Sequence, residues 1–154
     1  MNEEGSTIRV LIVDSHQAFV SVATDFFRRD DEVIVVGTVS GRKEALAQAE
    51  ELRPQVILMD FDHLLGPKGM QIIPRLRTIL PDVSIIVVAV LDIGAYRRAA
   101  LRRGADDFVS KFNLTTDLLP AVRRAARTAR PGLAMSKDAS PSRRFQNPPT
   151  LARP

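Results

Sequence analysis

Ile8-Arg9-Val10-Leu11-Ile12-Val13-Asp14-Ser15 is the stretch that decides the fold: an apolar, β-branched run that stops on an acid. The pattern returns three times. Val56-Ile57-Leu58-Met59 stops on Asp60, Ile85-Ile86-Val87-Val88 leads to Ala89, and Asp107-Phe108-Val109-Ser110 leads to Lys111. Short apolar runs without polar alternation read as strands buried on both faces, which is the habit of a parallel sheet. Such sheets bind ligands outside the carboxyl ends of their strands. Asp14, Ser15, Asp60, Ala89 and Lys111 all fall at those ends, so they are expected to line one pocket.

Helical patterns separate the runs. Ala18-Phe19, Val22-Ala23 and Phe26-Phe27 recur at helical spacing, and a second strand is read over 33–39. A helix over 44–52 is rich in Ala, Leu and Glu and is closed by Pro54. A third over 70–80 is stopped by Pro81, and a fourth over 95–103 has Gly104 placed to end it. Thr115 or Thr116 is placed to cap a fifth, reaching about residue 130. Pro74 and Pro120 fall inside the third and fifth, which requires a later start or a kink. Five successive βα units predict an α/β fold: a doubly wound, five-stranded parallel sheet with helices on both faces.

Composition narrows the class. The chain of 154 residues holds no cysteine, which excludes disulfides and thiolate metal sites. Its acidic start lacks an apolar signal segment, and no run approaches the ~20 apolar residues of a membrane span, so a cytoplasmic protein is expected. The net charge of +4 is uneven. Residues 131–154 carry four Lys/Arg against one Asp/Glu, and four of the ten prolines lie in the last 14 positions. We read 1–6 as an extension, 7–130 as one folded domain, and 131–154 as a disordered, basic, Pro-rich tail. The folded part is nearly neutral, so direct DNA binding by it is not expected.

Over about residues 7–130 the chain resembles the receiver domains of bacterial two-component response regulators. The resemblance rests on Arg9-Val10-Leu11-Ile12-Val13-Asp14-Ser15-His16, Arg53-Pro54-Gln55-Val56-Ile57-Leu58-Met59-Asp60, Ala99-Ala100-Leu101-Arg102-Arg103-Gly104-Ala105-Asp106 and Phe108-Val109-Ser110-Lys111. It is nearest to receivers that precede a helix-turn-helix output domain. It implies the flavodoxin-like receiver fold, with Asp60 as phosphoacceptor and Lys111 as the phosphate-pairing lysine. It puts Asp14 and Ser15 on two acidic positions that hold Mg²⁺ and Ala89 on a Ser/Thr that grips the phosphoryl group. The switch aromatic falls on Phe108, and the backbone carbonyl of Asp62 on a further metal ligand. The sequence departs from the pattern at Ser15 and Ala89. It also has Phe112 where proline is common, and one extra residue between Asp60 and Gly69.

Phosphoryl transfer to a carboxylate is catalysed by positioning and charge neutralisation. Ser15 offers Mg²⁺ an oxygen without charge, and Ala89 offers the phosphate nothing. Asp14, Asp60 and Lys111 therefore read either as a residual switch or as an ion-pair cluster tying strand ends together. No tightly bound cofactor is expected, and Mg²⁺ only weakly. His16 and His63, lacking close spacing, read as loop residues and not as zinc ligands.

Arg97, Arg98, Arg102 and Arg103 on the fourth helix, with Arg123, Arg124 and Arg127 on the fifth, read either as solvated surface or as a docking face. The resemblance implies that the face of the fourth helix, fifth strand and fifth helix carries partner contacts: a histidine kinase, another regulator or a second copy. The resulting expectation is a stand-alone degenerate receiver acting through protein contacts, since 24 tail residues are too few for a helix-turn-helix unit. The alternatives are a working phosphorelay protein phosphorylated on Asp60, and a modulator of a DNA-binding regulator by heterodimerisation.

Overall fold

The computed structural model describes residues 7–128. The expected extension over 1–6, the tail over 131–154 and Arg130 lie outside them. Along the chain run β1 (Ile8–Val13), α1 (Gln17–Arg28), β2 (Val33–Val39), α2 (Arg42–Leu52), β3 (Val56–Asp60) and α3 (Gly66–Ile79). β4 (Ser84–Ala89), α4 (Gly94–Arg102), β5 (Asp107–Ser110) and α5 (Leu119–Thr128) follow. The five strands form one parallel sheet in the order β2-β1-β3-β4-β5. Among the described residues no helix is long and apolar enough to cross a membrane.

Strand alternation builds two cores. Successive side chains point to opposite faces of a strand. Leu11, Val13, Ile57, Met59, Ile85 and Val87 therefore meet α2, α3 and α4 through Ala45, Ala49, Ile72, Ile73, Leu76 and Ala100. Their neighbours Val10, Ile12, Val56, Leu58, Ile86 and Val88 meet α1 and α5 through Val20, Ala23, Phe27, Ala121, Val122 and Ala125. β3 and β4 are buried along their whole length, which is why neither shows an amphipathic pattern.

Several helix boundaries shift from the sequence expectation, each for a local reason. α2 starts two residues earlier, and the Glu44 carboxylate accepts the Gly41 amide at 3.0 Å to close its first turn. α3 starts four residues earlier. Pro67 sits in its first turn, where a missing N–H costs nothing, and Pro74 is carried inside the helix on its exposed side. The loop after Asp60 tightens into a 3₁₀ turn, Phe61–Leu64. Gly69 then packs on that turn: a Cβ at this position would lie 2.2 Å from the Leu64 carbonyl carbon. Before α5 the chain makes a π turn, Leu114–Leu118, so Pro120 falls at the second residue of α5 instead of in its interior. Gly104 follows α4 at φ +106°, a conformation that favours glycine.

Candidate functional site

Parallel registry assembles the pocket. Val13 pairs with Met59, so Asp14, one residue beyond β1, comes up beside Asp60 at the end of β3. Asp60 pairs with Val88, and Ala89 with Ser110, which brings Lys111 to the same edge. The side chains of Asp14 and Asp60 are 0% and 5% exposed, and that of Lys111 is 6%.

The Lys111 ammonium lies 2.7 Å from Asp14 Oδ2 and 2.8 Å from Asp60 Oδ1, bridging the two carboxylates. The contact with Asp14 Oδ2 is an ion pair off the hydrogen-bond direction, and that buried oxygen accepts no hydrogen bond among the described residues. Asp14 Oδ1 accepts the His16 amide at 2.8 Å, while Asp60 Oδ2 accepts the Asp62 amide at 3.0 Å. Lys111 also lies over the Phe19 ring, 4.6 Å from its centroid. Removing the cation would leave two desolvated carboxylates side by side, which is costly whatever the net worth of the intact cluster.

His16 is the residue that spacing did not single out. It precedes α1, and its Nδ1 reaches Asp14 Oδ1 at 2.9 Å, Asp60 Oδ1 at 3.8 Å and Lys111 Nζ at 3.0 Å. The signal was available in the i, i+2 relation of Asp14 and His16: a turn that ends a strand with one intervening residue can fold the second side chain back over the first. Asp14, His16 and Asp60 offer ligand atoms within 4.8 Å of one another. His63 stays in the 3₁₀ turn, half-buried. Burial lowers its pKa below the ordinary value of 6.5, against the pull of the Asp60 charge and with Arg42 adding to the lowering.

The remaining positions are spread around this centre. Ser15 is exposed and makes no hydrogen bond among the described residues. The Asp62 carbonyl accepts the Leu65 amide at 3.2 Å, and the Asp62 side chain is exposed. Ala89 is buried among apolar side chains. Magnesium, implied by the family pattern, asks for several oxygen ligands in octahedral order. The pocket supplies the Asp14 and Asp60 carboxylates, both in contact with the Lys111 ammonium, while the Asp62 carbonyl is engaged by the Leu65 amide and Ser15 is exposed. Phe108 is buried, with the Arg97 guanidinium 5.0 Å from its ring centroid and donating to its carbonyl at 3.3 Å. Tyr96 of α4 stacks on Phe61 at 4.6 Å. The Lys111–Phe112 bond is trans, and Phe112 is 78% exposed.

The structure divides the arginines. Arg103 donates to the Leu64 carbonyl, fastening α4 to the 3₁₀ turn. Arg123 turns to Asp30 and Glu32 in the α1–β2 turn, at 2.7 and 3.2 Å, away from α4. Arg97 pairs with Asp92 and Arg124 with Asp107. Arg98, Arg102 and Arg127 are exposed and pair with no acid among the described residues.

Comparison with known proteins bears on the family and the fold. The family model described as the response regulator receiver domain matches residues 10–123. The response regulator protein VraR of Staphylococcus aureus is 31% identical over 123 residues, covering 79% of this chain and 57% of that protein. The chain thus spans little more than half the length of the curated relatives it matches. Among solved structures, the response regulator domain of Thermotoga maritima CheB is 30% identical with a TM-score of 0.67, covering 79% of this chain and 97% of that one. A LuxR-family two-component response regulator from Aurantimonas sp. SI85-9A1 shares the fold at 24% identity and a TM-score of 0.70, covering 79% and 86%.

Proposed function

The chain belongs to the response regulator receiver domain family, and on that premise we propose that it is a degenerate receiver, working by protein contacts without a phosphoryl switch. The observation that supports this reading is the Lys111 bridge. Its ammonium lies against both carboxylates at 2.7 and 2.8 Å and offsets part of their charge, where a working site uses a metal. Ala89, buried and apolar, has no hydroxyl with which to seize a phosphoryl oxygen and carry a change of shape to α4. Mg²⁺ binding is expected to be weak. Contacts with a kinase, another regulator or a second copy would use the face of α4, β5 and α5, where Arg98, Arg102 and Arg127 remain exposed and suit an acidic protein surface.

The competing reading is a working phosphoacceptor, favoured by the presence of Asp14, Asp60 and Lys111 in one pocket. Labelling by acetyl phosphate with Mg²⁺ separates the two. The unmodified chain should label little. The double variant Ser15→Asp/Ala89→Thr restores a charge and a hydroxyl, and should gain Mg²⁺-dependent labelling that Asp60→Asn abolishes. Robust labelling of Asp60 in the unmodified chain would falsify the degenerate reading.

A further inference from the structure

We propose that the open edge of the sheet, strand β2, is a self-association surface: it pairs antiparallel with β2 of a second copy of this chain and joins two five-stranded sheets about a twofold axis. This surface is independent of the pocket and uses none of the α4 face.

β2 (Val33–Val39) stands at the end of the strand order and pairs on one side only, with β1. The Glu32 carbonyl accepts the Ile8 amide at 2.7 Å and the Val39 carbonyl accepts the Asp14 amide at 2.9 Å, so both ends of the strand face β1. Alternation from these two anchors turns the main-chain groups of Val35 and Thr38 to the open side, and Val36 is skipped in the register with β1. A row of open main-chain groups is a template for another strand, and edge strands are commonly guarded by Lys, Pro or an inward charge. Val33-Ile34-Val35-Val36-Gly37-Thr38-Val39 carries none of these.

Charge selects the occupant and its direction. Asp30-Asp31-Glu32 precede the strand and Arg42-Lys43 follow it. Asp30 and Glu32 are spent on Arg123, and Arg42 donates to the His63 carbonyl at 2.8 Å. Asp31 and Lys43 are exposed and pair with no opposite charge among the described residues. A parallel second strand would set Asp31 on Asp31 and Lys43 on Lys43. An antiparallel one brings Asp31 of each copy to the end that carries Lys43 of the other, twice by symmetry.

One register satisfies both the main chain and the charges. Val35 of each copy faces Thr38 of the other, both with open main-chain groups. The skipped Val36 then lies opposite Gly37, which has no side chain to collide with it, and Asp31 comes opposite Arg42 and next to Lys43. Beside the start of β2 a groove of about 410 Å³ runs between Thr24 and Arg28 of α1 and Asp31, Val33, Ile34 and Val35, with Ile34 49% exposed. The same register lays the small, exposed Thr38 and Ser40 of the other copy along it.

The test is sedimentation velocity of the unmodified full chain over a rising concentration series. A monomer–dimer equilibrium is expected, weakened by added salt because exposed charges are screened. Asp31→Lys and Lys43→Asp should each weaken the dimer at least tenfold at unchanged melting temperature, since each turns two attractions into two repulsions. Mixed one to one, the two variants should dimerise with each other as tightly as the unmodified chain, because the mixture restores both opposite-charge contacts. Thr38→Pro, which removes an open-side N–H and no bond to β1, should also abolish the dimer. In the unmodified chain, deuterium exchange of the Val35 and Thr38 amides should slow as concentration rises, a readout that needs no variant to fold. A chain that stays monomeric throughout, a dimer indifferent to both charge variants, or a mixture that fails to recover overturns the proposal. A dimer lost in Arg98→Glu/Arg102→Glu and kept in Asp31→Lys places the second copy on the α4 face and overturns it as well. Acetyl phosphate labelling is untouched by all of these outcomes, so the degenerate reading stands or falls separately.

Discussion

Replacing Lys111 by Met should be the most damaging conservative-volume change in the molecule. The side chain is 6% exposed and its ammonium lies between Asp14 and Asp60 side chains exposed by 0% and 5%. Methionine keeps the length of the stem and its place over Phe19 while deleting the charge. Two carboxylates are then left buried side by side. Removing one partner of a buried pair costs about 3–5 kcal/mol, because the desolvated charge left behind is uncompensated. For a domain of this size each kcal/mol lowers the melting temperature by roughly 3–5 °C, so a fall of about 10–25 °C is expected. Urea unfolding at pH 7 measures the loss directly. The cause is tested by Lys111→Met/Asp60→Asn, which leaves one carboxylate and should recover about half of it through a coupling energy between the two positions. A loss below about 1 kcal/mol, the range of exposed pairs, would refute the reasoning and mean that water screens the pocket.

Three further outcomes follow from other parts of the fold. Burial lowers the His63 pKa, so the unfolded chain holds the proton that the folded chain gives up. Stability should therefore decline as pH falls through 6.5, and His63→Asn should flatten that slope in chemical denaturation between pH 7.5 and 5.5. Gly69→Ala places a Cβ 2.2 Å from the Leu64 carbonyl carbon and should cost about 1–3 kcal/mol in the same assay; a neutral result would show that the 3₁₀ turn is free to move. Arg98→Glu/Arg102→Glu should weaken partner or self-association, measured by pull-down or sedimentation, at unchanged melting temperature. Arg123→Ala should do the reverse, because its guanidinium is spent on Asp30 and Glu32; equal effects of the two changes would remove the case for a docking face.

The sheet is readable in the sequence because burial on both faces leaves an unmistakable trace: β1, β3 and β4 are largely apolar runs, and β1 and β3 report their own endings by Asp14 and Asp60. That polar ending, together with parallel connection, was enough to bring Asp14, Asp60 and Lys111 into one pocket before any coordinates. Helix ends were less readable. Pro74 and Pro120 break helices as free sequence, and whether a proline is harmful depends on its turn. At Pro67 the helix begins where its missing N–H is no loss, and at Pro120 a π turn leads directly into α5.

What only tertiary structure decided is what each polar side chain faces. Seven arginines on two helices look alike in sequence. Arg103 and Arg123 are consumed by a carbonyl 39 residues away and by acids in a distant turn, while Arg98 and Arg102 are not. Ser15 and His16 are adjacent, and periodicity gives no reason to prefer either. The backbone turn after Asp14 sends Ser15 to solvent and folds His16 over the carboxylates. Strands and cores follow from where apolar residues recur along the chain, a one-dimensional quantity. The identity of a site follows from distances between residues 46 and 97 positions apart, as Asp14 is from Asp60 and from Lys111, and those are set by registry and turn geometry.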